Sequence, residues 1–294
     1  MTPPSPYALP RYGGEDRVMR IRDGVATRLL RVEGSPVLVR AWQPGRGRVA
    51  LRAEPLAAEA IALPPPGALG PPVTAGPAQL ALALERMRFA LGVDDDLGEF
   101  YRRFRRDPLL GPLIRRRPWL RPPRRPWAWE AFAWAVVKQL IESGRAARIQ
   151  RRIVGRWGPR LDLAGGKGLR DVPPAALIAG RAPAELEALG LSPARSIALG
   201  AAARQIAAGR CDPAERSADE RLLAIPEIGP WTVQCLGLFG RGEADSLPAG
   251  DLMYLKLVGR LARLGRRATV EEVEEFFAPY RPFRGLAAIW THAL

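Results

Sequence analysis

Histidine, cysteine and long apolar runs are nearly missing from this chain of 294 residues, and each absence closes off a class of chemistry. The one histidine, His292, cannot alone build a Ser-His-Asp triad or a histidine-based metal centre. Two cysteines, Cys211 and Cys235, are too few for a four-thiolate zinc or iron–sulfur site. No stretch of about 18 uncharged apolar residues exists, so nothing is expected to span a bilayer. The opening MTPPSPYALPRYGG has no apolar segment behind a basic head; no secretory signal is read there, and the cytoplasm is the expected compartment. Catalysis, if any, falls to carboxylates, lysines, aromatics and backbone dipoles, with no metal or other cofactor expected.

Against those gaps stands an excess of positive charge. Lys and Arg number 45 against 30 Asp and Glu, a net charge of +15, and nearly all the cations are arginine. A folded basic chain points to a polyanionic partner, nucleic acid before a membrane surface. A GC-rich genome would explain arginine over lysine, but not the surplus of one sign. Arg145, Arg148, Arg152 and Arg156 step by three and four, so a helix would carry them as one cationic stripe, suited to a phosphate track. The segment RRRPWLRPPRRP at 115–126 is too rich in proline for a helix and reads equally as solvated surface.

An apolar content of 47% over this length predicts two or three packed lobes rather than a disordered chain. Residues 17–56 alternate in polarity and break near Gly24, Gly34 and Gly45, the spacing of an antiparallel meander. LPPPGALGPPVTAGP follows, and the Pro/Gly-rich stretch 63–77 reads as a linker. From Pro77 the pattern turns helical. The fold class expected is α+β: an N-terminal β domain over 1–75, then an all-α region over 76–294. Within it, Phe132, Ala133, Val136, Val137 and Leu140 mark a buried helical face, and Ser143-Gly144 can end that helix. Further helices are predicted at 184–190 and 192–209, the latter with Ser192 as N-cap. SADE at 217–220 has the form of a capping box. No internal repeat is present.

The stretch LLAIPEIGPWTVQCLGLFGRGEADSLPAGDLMYLKLVGRL, residues 222–261, holds the most information. Leu222, Leu223 and Ile225 give one short helix an apolar side. Gly229 offers backbone freedom, and Pro230 suits the first turn of a second helix, so the two make a hairpin over 222–240. The second helix's N-terminal N–H groups form a site for an anion. After a turn at 245–250 comes Asp251, placed to cap a further helix. Alone, the corner is an ordinary αα-turn and the aspartate a cap worth ~1 kcal/mol.

Together they resemble the helix-hairpin-helix DNA glycosylases, nearest the DNA-3-methyladenine glycosylase II branch. PEIGPWT resembles the family hairpin, Leu-Pro-Gly-(Val/Ile)-Gly before a helix, and Asp251 falls twenty positions beyond Trp231, at the family's spacing for its catalytic aspartate. The resemblance extends through LGEFYRRFRRDPLLGPLIRRRPWLRPP, FAWAVVKQLIESGRAARIQRRIVGRWG and LEALGLSPARSIALGAAARQIAAGR, over roughly residues 95–294. It implies two helical lobes and a monomer that hydrolyses the N-glycosidic bond of alkylated bases in DNA during base excision repair. Asp251 would be the catalytic anion, and Trp231, Cys235 and Phe283 would line the base pocket. Gln139, Leu140, Glu227, Ile228, Gly229, Arg145 and Arg148 would meet DNA, with Leu140 filling the gap left by an everted base. Core packing is an equal reading of Leu140, and Trp231 reads as a core residue too. Strand-cutting relatives carry a lysine where this chain has Trp231, so no lyase activity is implied.

The chain departs from the family at several places. Glu227 replaces the first hairpin glycine, Pro230 stands where a basic residue is common, Cys235 replaces an aromatic and Phe283 matches a tryptophan. Two other readings stay open: a non-catalytic lesion- or structure-specific DNA-binding protein, and a glycosylase for oxidised or mismatched bases.

Overall fold

The structure, a computed structural model, describes residues 1–57, 61–62, 73–162 and 168–292. Most of the expected linker, 63–72, lies outside the described residues. Strands β1 (Met19–Arg22), β2 (Val25–Val32), β3 (Ser35–Gly45) and β4 (Arg48–Pro55) form an antiparallel meander in chain order. Two-residue turns join the first three, pairing Arg22 with Val25 and Val32 with Ser35. Asp23-Gly24 and Glu33-Gly34 all have positive φ, the geometry that matches strand twist. The third expected punctuation mark moves: Gly45 ends β3 beside a register shift, and Gly47, at φ 66°, makes the turn.

The region after Pro77 is not wholly helical. It holds two two-residue strands, β6 (Arg160–Leu161) and β7 (Leu169–Arg170), which pair with β5 (Ile61–Ala62) from before Pro77 in a second small sheet. Their side chains join Leu29 and Leu38 in a minor core beneath the meander. Strands so short carry no alternation for sequence reading to find.

Helix α1 (Pro77–Leu91) lays Ala83, Met87 and Leu91 against the meander, so one core spans both sides of position 75. Two further cores follow. The first gathers α4 (Ala128–Lys138), α5 (Ser143–Trp157), α6 (Ala175–Ala179), α7 (Pro183–Ala188), α8 (Pro193–Ala207), α9 (Asp219–Leu223) and α10 (Pro230–Leu236). The second gathers α2 (Gly98–Phe104), α3 (Leu110–Arg116), α11 (Leu252–Leu261), α12 (Val270–Phe277) and α13 (Arg284–Thr291). The seam runs through the hairpin: Leu236 belongs to the first core and Leu238, in the π turn that continues α10, to the second.

The arginine–proline segment divides by role. Arg124 pairs with Asp95, Arg125 pairs with Asp16, and Arg121 donates to the Gly92 and Pro6 carbonyls. Half of it is therefore a clasp between the N-terminal segment and the helices, while Arg115, Arg116 and Arg117 stay exposed. Behind it lies a buried ion cluster in which Arg28 of β2 meets Glu130 of α4 at 2.6 Å and Asp171 at 3.3 Å. No helix among the described residues is long and apolar enough to cross a membrane.

Candidate active site

Helix α9 stops at Leu223 because the chain must turn before Pro230 can open α10. The positive φ of that turn falls on Glu227, at 70°, where a side chain is strained. Gly229 instead is extended, at φ −102° and ψ 176°, a conformation open to any residue, so the freedom assigned to it is not used. The apolar side also differs from the one read in sequence. Leu222 is buried, Leu223 is 43% exposed, and Ile228 sits in the core with its N–H bonded to the Ile225 carbonyl. Any phosphate contact at Ile228 must come from its neighbours. Ser217 does not cap: a 3-10 turn at Arg216–Ala218 precedes α9, whose cap position is Ala218.

Asp251 takes its place by local chemistry. Its side chain accepts the Met253 N–H at 2.9 Å as the N-cap of α11, and its own N–H is held by the Pro248 carbonyl. Asp251 as a residue is half-buried. Gly250 brings that turn against the hairpin helix: a Cβ there would lie 3.8 Å from the Trp231 Cβ and 3.9 Å from its Cδ1. Trp231 is half-buried, and its indole N–H is sealed from solvent without a hydrogen-bond partner among the described residues. One helical turn on, Cys235 is buried, and burial, with the Asp251 charge behind it, pushes its thiol up. Asp251, Trp231 and Cys235 therefore come together. Phe283 is half-buried, with its ring contacts to Phe100 at 5.8 Å and Phe104 at 6.3 Å in the second core.

Two residues near this anion, Tyr254 and His292, and a third near Cys235, Lys138, were given no role at the site by sequence reading. Tyr254, one turn beyond Asp251, is buried, and burial with the Asp251 charge raises its phenol well up. His292 shares a 2.7 Å hydrogen bond with the Tyr254 hydroxyl. It keeps an edge in solvent, yet desolvation of its crowded ring lowers its pKa, with Asp251 acting against that shift. His292 thus reaches the site through Tyr254. Lys138, the last residue of α4, stands within electrostatic reach of Cys235; desolvation of its amine, then Arg125, lowers its pKa. His292 and Lys138 arrive by tertiary packing, which leaves no local signal, whereas Tyr254 follows Asp251 by one helical turn, a spacing that the sequence does show.

The wedge region is resolved in favour of exposure. α4 ends at Lys138 rather than at Ser143-Gly144, which open α5. Phe132, Ala133, Val136 and Val137 are buried as expected, but Leu140 is fully exposed with φ 52°, so the core reading of it is overturned. Gln139 turns inward: its amide donates to the Glu227 carbonyl and the Thr232 hydroxyl, each at 2.8 Å. Arg145, Arg148, Arg152 and Arg156 all lie exposed along α5. Glu227 is exposed as well, a carboxylate at the tip of the hairpin.

A half-buried aspartate beside an aromatic wall can stabilise a positive charge that develops opposite it. Leu140 projects into solvent, and Arg145, Arg148, Arg152 and Arg156 form a row of cations along one helix.

Among known proteins, no family model matches the chain. A DNA-3-methyladenine glycosylase of Bacillus subtilis (strain 168) is 26% identical over 204 residues, covering 67% of this chain and 67% of that protein. A Mycobacterium tuberculosis protein, named as a probable bifunctional transcriptional activator/DNA repair enzyme AlkA, is 28% identical over 221 residues. That match covers 72% of this chain but 43% of the mycobacterial protein, so the chain spans less than half that relative's length. A solved 3-methyladenine DNA-glycosylase from Archaeoglobus fulgidus superposes with TM-score 0.79 at 19% identity, over 99% of this chain and 95% of that one, a likeness of fold.

Proposed function

We propose that this chain, which has the fold and the sequence likeness of the helix-hairpin-helix DNA glycosylases, is a monofunctional DNA glycosylase. It hydrolyses the N-glycosidic bond of alkylated bases of the 3-methyladenine type, acting in the cytoplasm as a monomer in base excision repair. The observation that carries this reading is the half-buried Asp251, fixed as a helix cap directly after Gly250, whose turn lies against the hairpin residue Trp231.

The chemistry follows from that placement. As the base–sugar bond breaks, the deoxyribose takes on oxocarbenium character, and a fixed carboxylate lowers the energy of that cation. Partial burial strengthens the effect because less water screens it. An N-alkylated purine carries positive charge and leaves readily, so its departure needs no proton donor. The same charge suits the face of Trp231 through cation–π attraction. Leu140 enters the stack as the nucleotide turns out, and the α5 arginines hold the backbone. With tryptophan in place of the hairpin lysine, the bond is broken by water and the strand is left whole.

The test is release of 3-methyladenine or 7-methylguanine from methylated DNA, comparing the native chain with Asp251→Asn. Release by the native chain and none by the variant is expected; equal release by both removes Asp251 from its role. A second reading, a lesion-specific binder without turnover, is favoured by the exposed Glu227 carboxylate on the hairpin. It predicts salt-sensitive DNA binding with no base released from any lesion. A panel of single-lesion duplexes also exposes a preference for oxidised or mismatched bases.

A further inference from the structure

The loop that presents Leu140 is short, and nothing in its own sequence fixes it. α4 ends with Gln139 at φ −50° and ψ 127°, then Leu140 at φ 52°. An apolar side chain fully in solvent, on a backbone in the left-handed region, persists only where its surroundings over-determine it. Two braces do so here.

The first comes from α8. Arg195 donates through Nη1 to the Val137 carbonyl at 3.2 Å and to the Gln139 carbonyl at 2.9 Å. The Val137 oxygen is among the acceptors that a helix end leaves without an intrahelical partner. The guanidinium is itself aimed: its Nε donates to the Ser192 hydroxyl at 2.9 Å. Ser192 does stand at the N-cap position of α8, but its side chain makes no capping bond, being turned to Arg195. The second brace is Gln139, whose amide reaches the hairpin at Glu227 and Thr232. Arg195 also stands in the fields of Arg145 and Glu227, so the stripe and the hairpin acid converge on it.

We propose that Arg195 is a positioning residue which, with Gln139, locks the Leu140 loop to the hairpin, so that wedge and hairpin meet the duplex as one rigid unit. This rests on the glycosylase reading for its consequence. A loop ordered before binding loses little freedom on inserting Leu140, and eversion from a stacked duplex benefits most. A single strand needs no wedge. Gln139, expected at the DNA surface, is here part of the brace.

The experiment measures single-turnover base release from methylated duplex and methylated single-stranded DNA, with Arg195→Met, Arg195→Lys, Leu140→Ala and the double variant L140A/R195M. Arg195→Met is expected to lose at least tenfold on duplex and less than twofold on single strands. Arg195→Lys should regain part of the duplex rate, since an ammonium reaches one carbonyl. The double variant should be no slower on duplex than Leu140→Ala. Equal losses on both substrates, or losses that multiply in the double variant, overturn the proposal. A duplex carrying 2-aminopurine beside a tetrahydrofuran abasic analogue separates the two readings, because unstacking raises fluorescence without any bond breaking. If the native chain unstacks the probe, Arg195→Met fails to, and no base is ever released, the brace stands and the enzyme reading falls. If base is released and Arg195→Met unstacks the probe as well as the native chain does, only the brace falls.

Discussion

The Asp251 carboxylate accepts the Met253 N–H at 2.9 Å, which gives one side chain a structural task besides the chemical one proposed for it. The two tasks separate by substitution. Asparagine caps a helix about as well as aspartate, whereas alanine loses ~1 kcal/mol. Asp251→Asn should therefore unfold at the native temperature while base release drops by about a hundredfold or more, the scale of losing one fixed electrostatic group. Asp251→Ala should match that loss and unfold about 1–2 °C lower. Thermal melts run beside methylated-DNA assays check both, and an asparagine variant that keeps its rate would reduce Asp251 to a cap.

Glu227 carries the positive φ of the hairpin, at 70°, on a residue with a side chain. Replacing it with glycine relieves a left-handed strain of ~1–2 kcal/mol, partly offset by glycine's greater freedom when unfolded. It also removes an exposed negative charge from the surface proposed to meet phosphate. Glu227→Gly should raise unfolding free energy by about 0.5–1 kcal/mol and tighten DNA binding. Denaturant titration and binding isotherms report the two effects independently, and unchanged affinity would place the hairpin tip away from the DNA.

These two residues also mark what was legible in the chain. The four-stranded meander, the hairpin, Asp251 as a cap and the α5 stripe follow local rules of turn residues and helical spacing, and all are in the structure. Leu140 was balanced between core and solvent because helical spacing carries on past Lys138, while the helix does not. Ser192 and Ser217 have the sequence form of caps, yet one is diverted to Arg195 and the other lies inside a 3-10 turn. Arg195, Lys138 and His292 gain their surroundings from distant segments, so spacing said nothing of them, while Tyr254 lies one helical turn from Asp251 and was overlooked. Phe283 was placed in the pocket by resemblance, and its ring contacts lie with Phe100 and Phe104.

Arg145 and Arg148 stand exposed one helical step apart at the start of α5, near the loop that carries Leu140. If each neutralises one phosphate, each alanine variant should lower the slope of log affinity against log salt by about one. The loss should be similar for damaged and undamaged duplexes, because backbone contacts carry no sequence information. Fluorescence anisotropy over a salt series measures it, and an unchanged slope would return both arginines to solvated surface.

Asp171 sits at the seam between the meander and the helices, accepting from Arg28 at 3.3 Å and from the N–H groups of Arg31 at 3.1 Å and Val172 at 2.8 Å. Burial raises its pKa to about 6, more than Arg28 lowers it, and the neighbouring Glu130 charge adds to the rise. An aspartate in the unfolded chain titrates near ~3.9. Between those values the folded chain holds a proton that the unfolded chain releases, so acidification favours folding through this group. Its contribution is fully present below about 3.9 and lost as pH rises through about 6, with an upper bound of about 3 kcal/mol. Denaturant titrations of the native chain and Asp171→Asn at about pH 4.5 and about pH 7.5 isolate it, since the variant cannot titrate there. Glu130 remains to pair Arg28 in the variant, so that substitution leaves no buried cation alone. The native chain should gain on the variant as the pH falls. A loss instead would mean that the bond to Arg28 outweighs the burial of the acid.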